Sequence, residues 1–233
     1  MTYEPTVPPA ERARIREWHD AAYESMRTDE VRTVEYLGRS FVVPPQVFPP
    51  APVSELLGRA VLEDVRKGDR VLDMGTGCGV NAILAASRST DVLGVDVNPH
   101  AVAAAVANAG RNGVADRVAF RESDVFGAVD GEFDLMIFDP PFRWFAPRDH
   151  LEASIADENY AALTRFLTEA GAYLAPGGQI LMFFGTSGDL DYLYRTAEAN
   201  GFTRETVADH DLTRGDRTVS YSAFRLTLGG PAG

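Results

Sequence analysis

The sequence predicts an α/β fold: a mostly parallel sheet of seven strands, helices on both faces, and an antiparallel hairpin at the C-terminus. Three observations predict it. Between residues 69 and 200, short apolar runs alternate with stretches of helical periodicity, the pattern of repeated βαβ units. A glycine-rich turn, "GTGCG", follows the first apolar run and opens the next helix. Two long alternating segments, 202–212 and 217–228, joined by Arg214-Gly215-Asp216, read as the closing hairpin.

Taken in order, residues 1–9 are rich in Pro and Thr and are expected to be mobile. Ile15, Trp18, Ala22 and Met26 fall three or four apart, which predicts a helix over 11–26 with one apolar face. "TVEYLGRSFVVPPQVFPP" is β-branched and aromatic but broken by prolines, so it is expected to be extended. A helix is expected over 53–65, then a strand at 69–75, a helix at 80–87 and a strand at 91–97. Asn98-Pro99 supplies an N-cap and a first-turn proline for the next helix, which ends by Gly110–Gly113. Strands follow at 117–124 and 133–139, a helix at 159–174 stopped by "APGG", a strand at 179–185 and a helix at 189–200. Residues 1–35 are read as a helical extension or lid, and 36–233 as one domain.

Composition sets bounds on function. The chain has 233 residues, 45% of them hydrophobic, and one cysteine, so no internal disulfide can form. No apolar run reaches the roughly 18 residues of a membrane span, and the N-terminus lacks the core of a secretory signal. A cytoplasmic protein without membrane partners is expected. The net charge of −12 argues against long nucleic acid, whose binding draws on phosphate neutralisation.

The chemistry gathers at strand ends. Gly75, Gly77 and Gly79 let the chain turn sharply and let a ligand lie against bare backbone near a helix N-terminus. The dinucleotide fingerprint G-x-G-x-x-G asks for glycine at position 80, where this chain has Val80. Asp73, beside the turn, would repel a pyrophosphate but suits a ligand with an amino group and a sulfonium; S-adenosylmethionine is such a ligand. Asp96 ends the second strand, where an acid can take both ribose hydroxyls, with Asn98 just beyond it. Asp124 ends the third and can accept from an adenine amino group, with Val125 and Phe126 packing on its ring. The bland alternative is a set of ordinary turn acids around a glycine loop.

The fourth strand, "FDLMIFD", stops at Asp139-Pro140-Pro141-Phe142. It should lie beside the first, at the crevice where ligands of open α/β sheets bind. The Asp139 carboxylate and the Pro140 carbonyl are two acceptors suited to holding an NH₂ group, which leaves its nitrogen lone pair free to attack a methyl group. Orientation and charge stabilisation then supply the catalysis without a metal. Phe142 is placed to stack on a planar substrate, Trp144 and Phe145 to wall the pocket and Arg143 to meet a carboxylate; core packing below a loop is the alternative for the rings.

These stretches carry a resemblance. "VLDMGTGCG", "GVDVNP", "ESDVF", "FDPPF" and "LAPGGQILM" resemble the ordered motifs of class I S-adenosylmethionine-dependent methyltransferases, a Rossmann-like fold. "DPPF" is similar to the (Asn/Asp)-Pro-Pro-(Tyr/Phe) signature of amino-group methyltransferases. "LGRSFVVPPQVFPP" ahead of the glycine turn resembles the HemK-like release-factor glutamine methyltransferases. The resemblance implies S-adenosyl-L-methionine as cofactor and places Asp139, Pro140, Pro141 and Phe142 against the acceptor. Asp139 stands where that family has Asn, and Phe142 where it has Tyr. The expectation is methylation of a planar or amino nitrogen, on a small metabolite or a protein glutamine. Alternatives are an rRNA or DNA adenine N6-methyltransferase and a non-catalytic scaffold that binds the cofactor.

Other features weigh less. Asp209-His210-Asp211 has no serine elbow beside it and reads as a surface hairpin. His19, His100, His150 and His210 show no metal-binding spacing, so no metal is expected. His150 and Asp149 are near enough to the aromatic loop to be a general-base option. Cys78 reads as a small packing residue, and Asn159 and Tyr160 as structural.

Overall fold

A computed structural model describes residues 3–214 and 217–229. Along the chain come helix α1 (Pro9–Met26), strands β1 (Arg32–Tyr36) and β2 (Arg39–Val43), helix α2 (Glu55–Asp64), strand β3 (Arg70–Met74), helix α3 (Val80–Ala86), strand β4 (Asp91–Asp96) and helix α4 (Pro99–Arg111). Then follow β5 (Val118–Glu122), β6 (Phe133–Phe138), α5 (His150–Ala153), α6 (Ala161–Glu169), β7 (Leu174–Gly185), α7 (Leu190–Ala199), β8 (Phe202–Arg214) and β9 (Arg217–Leu228).

The main sheet has seven strands in the order β5-β4-β3-β6-β7-β9-β8, parallel from β5 to β7 and antiparallel at β9 and β8. Strand order reverses between β3 and β6, so their C-terminal ends share a crevice. The central strands are buried on both faces. In β6, Phe133, Met136 and Phe138 enter one core while Leu135 and Ile137 enter the other; in β7, Ile180, Met182 and Phe184 oppose Leu181 and Phe183. The closing hairpin is pinned to α2 by Arg225, whose Nη2 lies 2.8 Å from Asp64.

Two expectations need correction. The helix read over 159–174 is broken: Asn159 and Tyr160 have φ of 55° and 51°, α6 begins only at Ala161, and "APGG" lies inside β7. The segment after α1 is extended as expected, forming a two-stranded antiparallel hairpin, β1-β2. The hairpin is tied to α4, where Asn108 accepts from the Val42 N–H and donates to the Val42 carbonyl, both at 2.9 Å. Within the stretch expected to be mobile, Tyr3 is buried and donates to Asp189 at 3.0 Å, and the Thr6 N–H donates to the same carboxylate at 2.8 Å. The turn residues Gly215 and Asp216 lie outside the described residues.

Candidate active site

A cavity of about 840 Å³ opens at the C-terminal ends of β3, β4 and β6. One side is built by the turn from β3 into α3, where Gly75 and Gly77 have φ of 67° and 56°. A Cβ on Gly77 would meet no atom within 4 Å, so the bare backbone faces open space. Asp96 anchors this turn: its Oδ2 accepts from the Gly77 N–H at 2.8 Å and its Oδ1 from the Asn98 N–H at 2.9 Å. Burial raises the Asp96 carboxyl above its usual range. Val125 enters the wall with φ of 49°, and Asp124 lines it beside an ion pair with Arg165 at 2.7 Å.

Beside the glycine turn, at the end of the adjacent strand β6, Asp139, Pro140, Pro141, Phe142 and Arg143 all reach the cavity. Asp139 receives no hydrogen bond among the described residues. Burial and, secondarily, the charge of Asp73 push its carboxyl up to about 7. Phe142 packs on Phe184 with ring centroids 4.9 Å apart. The Arg143 guanidinium lies over the Trp18 ring at 4.5 Å.

Several expected site residues sit elsewhere. Asp73 is buried beneath the turn and does not reach the cavity: its Oδ2 accepts from the Thr76 hydroxyl at 2.6 Å and the Ala82 N–H at 3.0 Å. Both donors hold this acid against its own turn. Gly79 also lies off the cavity. It caps α3 at φ 90°, and a Cβ there would sit 3.1 Å from the Ala105 backbone, so its glycine serves the approach of α3 to α4. Trp144 and Phe145 are buried behind the loop, Trp144 against Tyr3 and Tyr160, Phe145 beneath Arg16. Asn98 lines the cavity, but its side chain is spent on structure: Oδ1 accepts from the His100 N–H at 3.0 Å and Nδ2 donates to the Gln46 carbonyl at 2.9 Å.

His150 lines the cavity, whereas Asp149 caps α5 and accepts from the Tyr23 hydroxyl. Asn159 lines it too; Tyr160 is structural, donating to the Phe142 carbonyl at 2.6 Å and so bracing the double-proline loop from below. Cys78 is a buried packing residue, its thiol pushed up to about 12. Asp209, His210 and Asp211 are exposed on β8. Sequence reasoning missed Tyr36, Phe48 and Tyr221, which come from the β1 hairpin, the following loop and β9. No local pattern marks them, because only the fold brings them to the crevice.

Sheet order, glycine turn and strand-end acids around one cavity define an S-adenosylmethionine-dependent methyltransferase. The chain belongs to the methyltransferase small domain family, whose profile matches residues 51–192. It is 33% identical over 154 residues to a Methanocaldococcus jannaschii chain named protein N5-glutamine methyltransferase, covering 63% of this chain and 76% of that one. It is 34% identical over 169 residues to the release factor glutamine methyltransferase of Nitratidesulfovibrio vulgaris, covering 65% of this chain but only 57% of that protein. In fold it is similar to the Thermus thermophilus 16S rRNA N2 G1207 methyltransferase solved with AdoMet and guanosine, at a TM-score of 0.61 and 22% identity over 86% of this chain and 50% of that one. Among the described residues no helix is long and apolar enough to cross a membrane.

The residues present fit the cofactor. The bare backbone at Gly77 faces open space, and Asp96 stands at the end of the neighbouring strand.

Proposed function

We propose that this protein methylates a nitrogen atom, with Asp139 and the Pro140 carbonyl orienting the acceptor. S-adenosylmethionine supplies an electrophilic methyl group on a sulfonium. Gly75 and Gly77 would receive its amino-acid end along their bare backbone, Asp96 its ribose hydroxyls, and Val125 with Asp124 its adenine. The observation that carries the nitrogen reading is Asp139: a carboxylate in the cavity wall, at the strand end next to the glycine turn, with no hydrogen bond from a described residue. A half-buried carboxylate turned to the cavity with its protein donors absent among the described residues is open to a ligand's N–H group, which it can accept as it would a water.

Asp139 has three tasks in this reading. It holds an N–H of the acceptor, which aims the lone pair. Its negative charge stabilises the positive charge growing on that nitrogen. With its carboxyl raised to about 7, it can also take the proton that the nitrogen releases. The Pro-Pro that follows limits the chain's freedom, so little ordering is left for the acceptor to induce.

The test uses methyl-labelled cofactor and a lysate separated into small molecules, protein and RNA. Label bound to nitrogen, with Asp139→Ala binding cofactor normally but losing about a hundredfold in turnover, is the expected result. Full turnover by Asp139→Ala would end the reading.

A further inference from the structure

Resting on that reading, we propose that the half of the cavity beneath α1 is an acceptor subsite for a small, flat amine with an apolar body, and that Trp18, Ala22 and Met26 set its size. These three residues are spaced by four, so they share one face of α1, and all three line the cavity. Tyr36, Phe48 and Tyr221 line the same cavity. Rings and a thioether suit a planar, polarizable body carrying an amino group.

The helix is fastened to the loop that carries Asp139. His19 Nε2 lies 2.8 Å from Glu152 Oε1, both side chains buried. Arg148 binds Glu152 at 2.6 Å and reaches Asp20 at 3.1 Å, while the Tyr23 hydroxyl donates to Asp149. Arg16 lies 3.5 Å over the Phe145 ring, and Arg143 over Trp18. A wall held by the buried His19–Glu152 contact, the Arg148–Asp20 ion pair and stacked guanidinium groups forms a fixed boundary. It favours a discrete molecule over a loop of another protein.

Charge discriminates against nucleic acid as the acceptor. Among the described residues Asp96, Asp124, Asp139, Asp157 and Glu158 line the cavity, Asp124 paired with Arg165, against His150 and Arg143, whose guanidinium rests on Trp18. Such a wall repels phosphates and attracts an amine. In the transfer the amine nitrogen forms the new N–C bond as the S–C bond breaks. Sulfur keeps that electron pair, and the nitrogen releases its proton to Asp139 or to water.

The test measures methyl transfer by the full chain to aniline, 2-aminopyridine and phenethylamine, against a glutamine-containing peptide and transfer RNA. The expected result is label on at least one of the amines. Trp18→Ala and Met26→Ala then raise KM for it about tenfold with kcat within about threefold, cofactor Kd unchanged, and Trp18→Phe restoring much of the loss. Ala22→Leu, which fills the space without removing a contact, should weaken the same amine. Label only on peptide or RNA, no label on any amine, or an unmoved KM in all three α1 variants overturns the subsite. If instead every acceptor is methylated as well by Asp139→Ala as by the parent, the nitrogen reading itself has failed.

Discussion

Asp73 and Asp139 stand at the ends of the adjacent parallel strands β3 and β6, and the charge of the first helps push the carboxyl of the second up to about 7. The two acids are treated differently by the fold. Asp73 is held by Thr76 and Ala82, whereas Asp139 faces the cavity without a donor among the described residues.

Turnover should therefore depend on pH in one direction near neutrality. Asp139 works as a carboxylate in the proposed reading, so kcat/KM is expected to rise about tenfold per pH unit below about 7 and to level above it. A profile of kcat/KM against pH from 5 to 9, with a non-titrating acceptor, checks this. A flat profile across 6–8 would remove Asp139 from the titrating step.

Stability should respond in the opposite sense. A carboxyl whose folded pKa is raised from 3.8 to about 7 favours the fold fully below about 4, and that contribution is lost as pH rises through about 7. Asp139→Asn keeps the shape but cannot ionise. Its Tm is expected to exceed the parent's by a few degrees at pH 8 and to converge with it near pH 4. Thermal melts of both proteins at the two pH values test the sign.

Asp96 and Asp124 should differ in their effect on cofactor binding. Asp96 holds the Gly77 N–H and lines the cavity, so Asp96→Ala is expected to weaken S-adenosylmethionine about ten- to a hundredfold. Asp124 already pairs with Arg165, and Asp124→Ala is expected to cost about threefold or less. Calorimetric titration of each variant measures both values.

Gly94, in the middle of β4, has no room for a methyl group. A Cβ there would lie 2.6 Å from the Phe120 ring and 2.9 Å from the Thr76 hydroxyl, the group that holds Asp73. Gly94→Ala is expected to destabilise the fold by roughly 1–3 kcal/mol and to disturb the glycine turn. Denaturant unfolding gives the first quantity and cofactor affinity the second.

Much of this architecture was readable because its signals are local. The alternation of apolar runs and helical periods marked all seven strands of the main sheet, and "GTGCG" and "DPPF" marked the ends that face the cavity. Elements were misjudged where a local rule met a tertiary demand. Asn159 and Tyr160 read as helix starters, but burial of the Tyr160 ring under the Phe142 loop holds both in a left-handed conformation. Tyr3 and Thr6 read as part of a loose tail, yet they reach Asp189 more than 180 residues away.

The sequence by itself determined the fold class, the strand ends where chemistry collects and the kind of cofactor, because backbone periodicity, glycine turns and strand-end acids are set by neighbours in the chain. The tertiary structure alone decided which strand-end acid faces the cavity and which is consumed by its own loop. It also decided that α1, the β1 hairpin and β9 supply the far wall. Those outcomes depend on where side chains distant in sequence meet, and on which polar atoms find partners there; neither quantity is written in any one stretch of the chain.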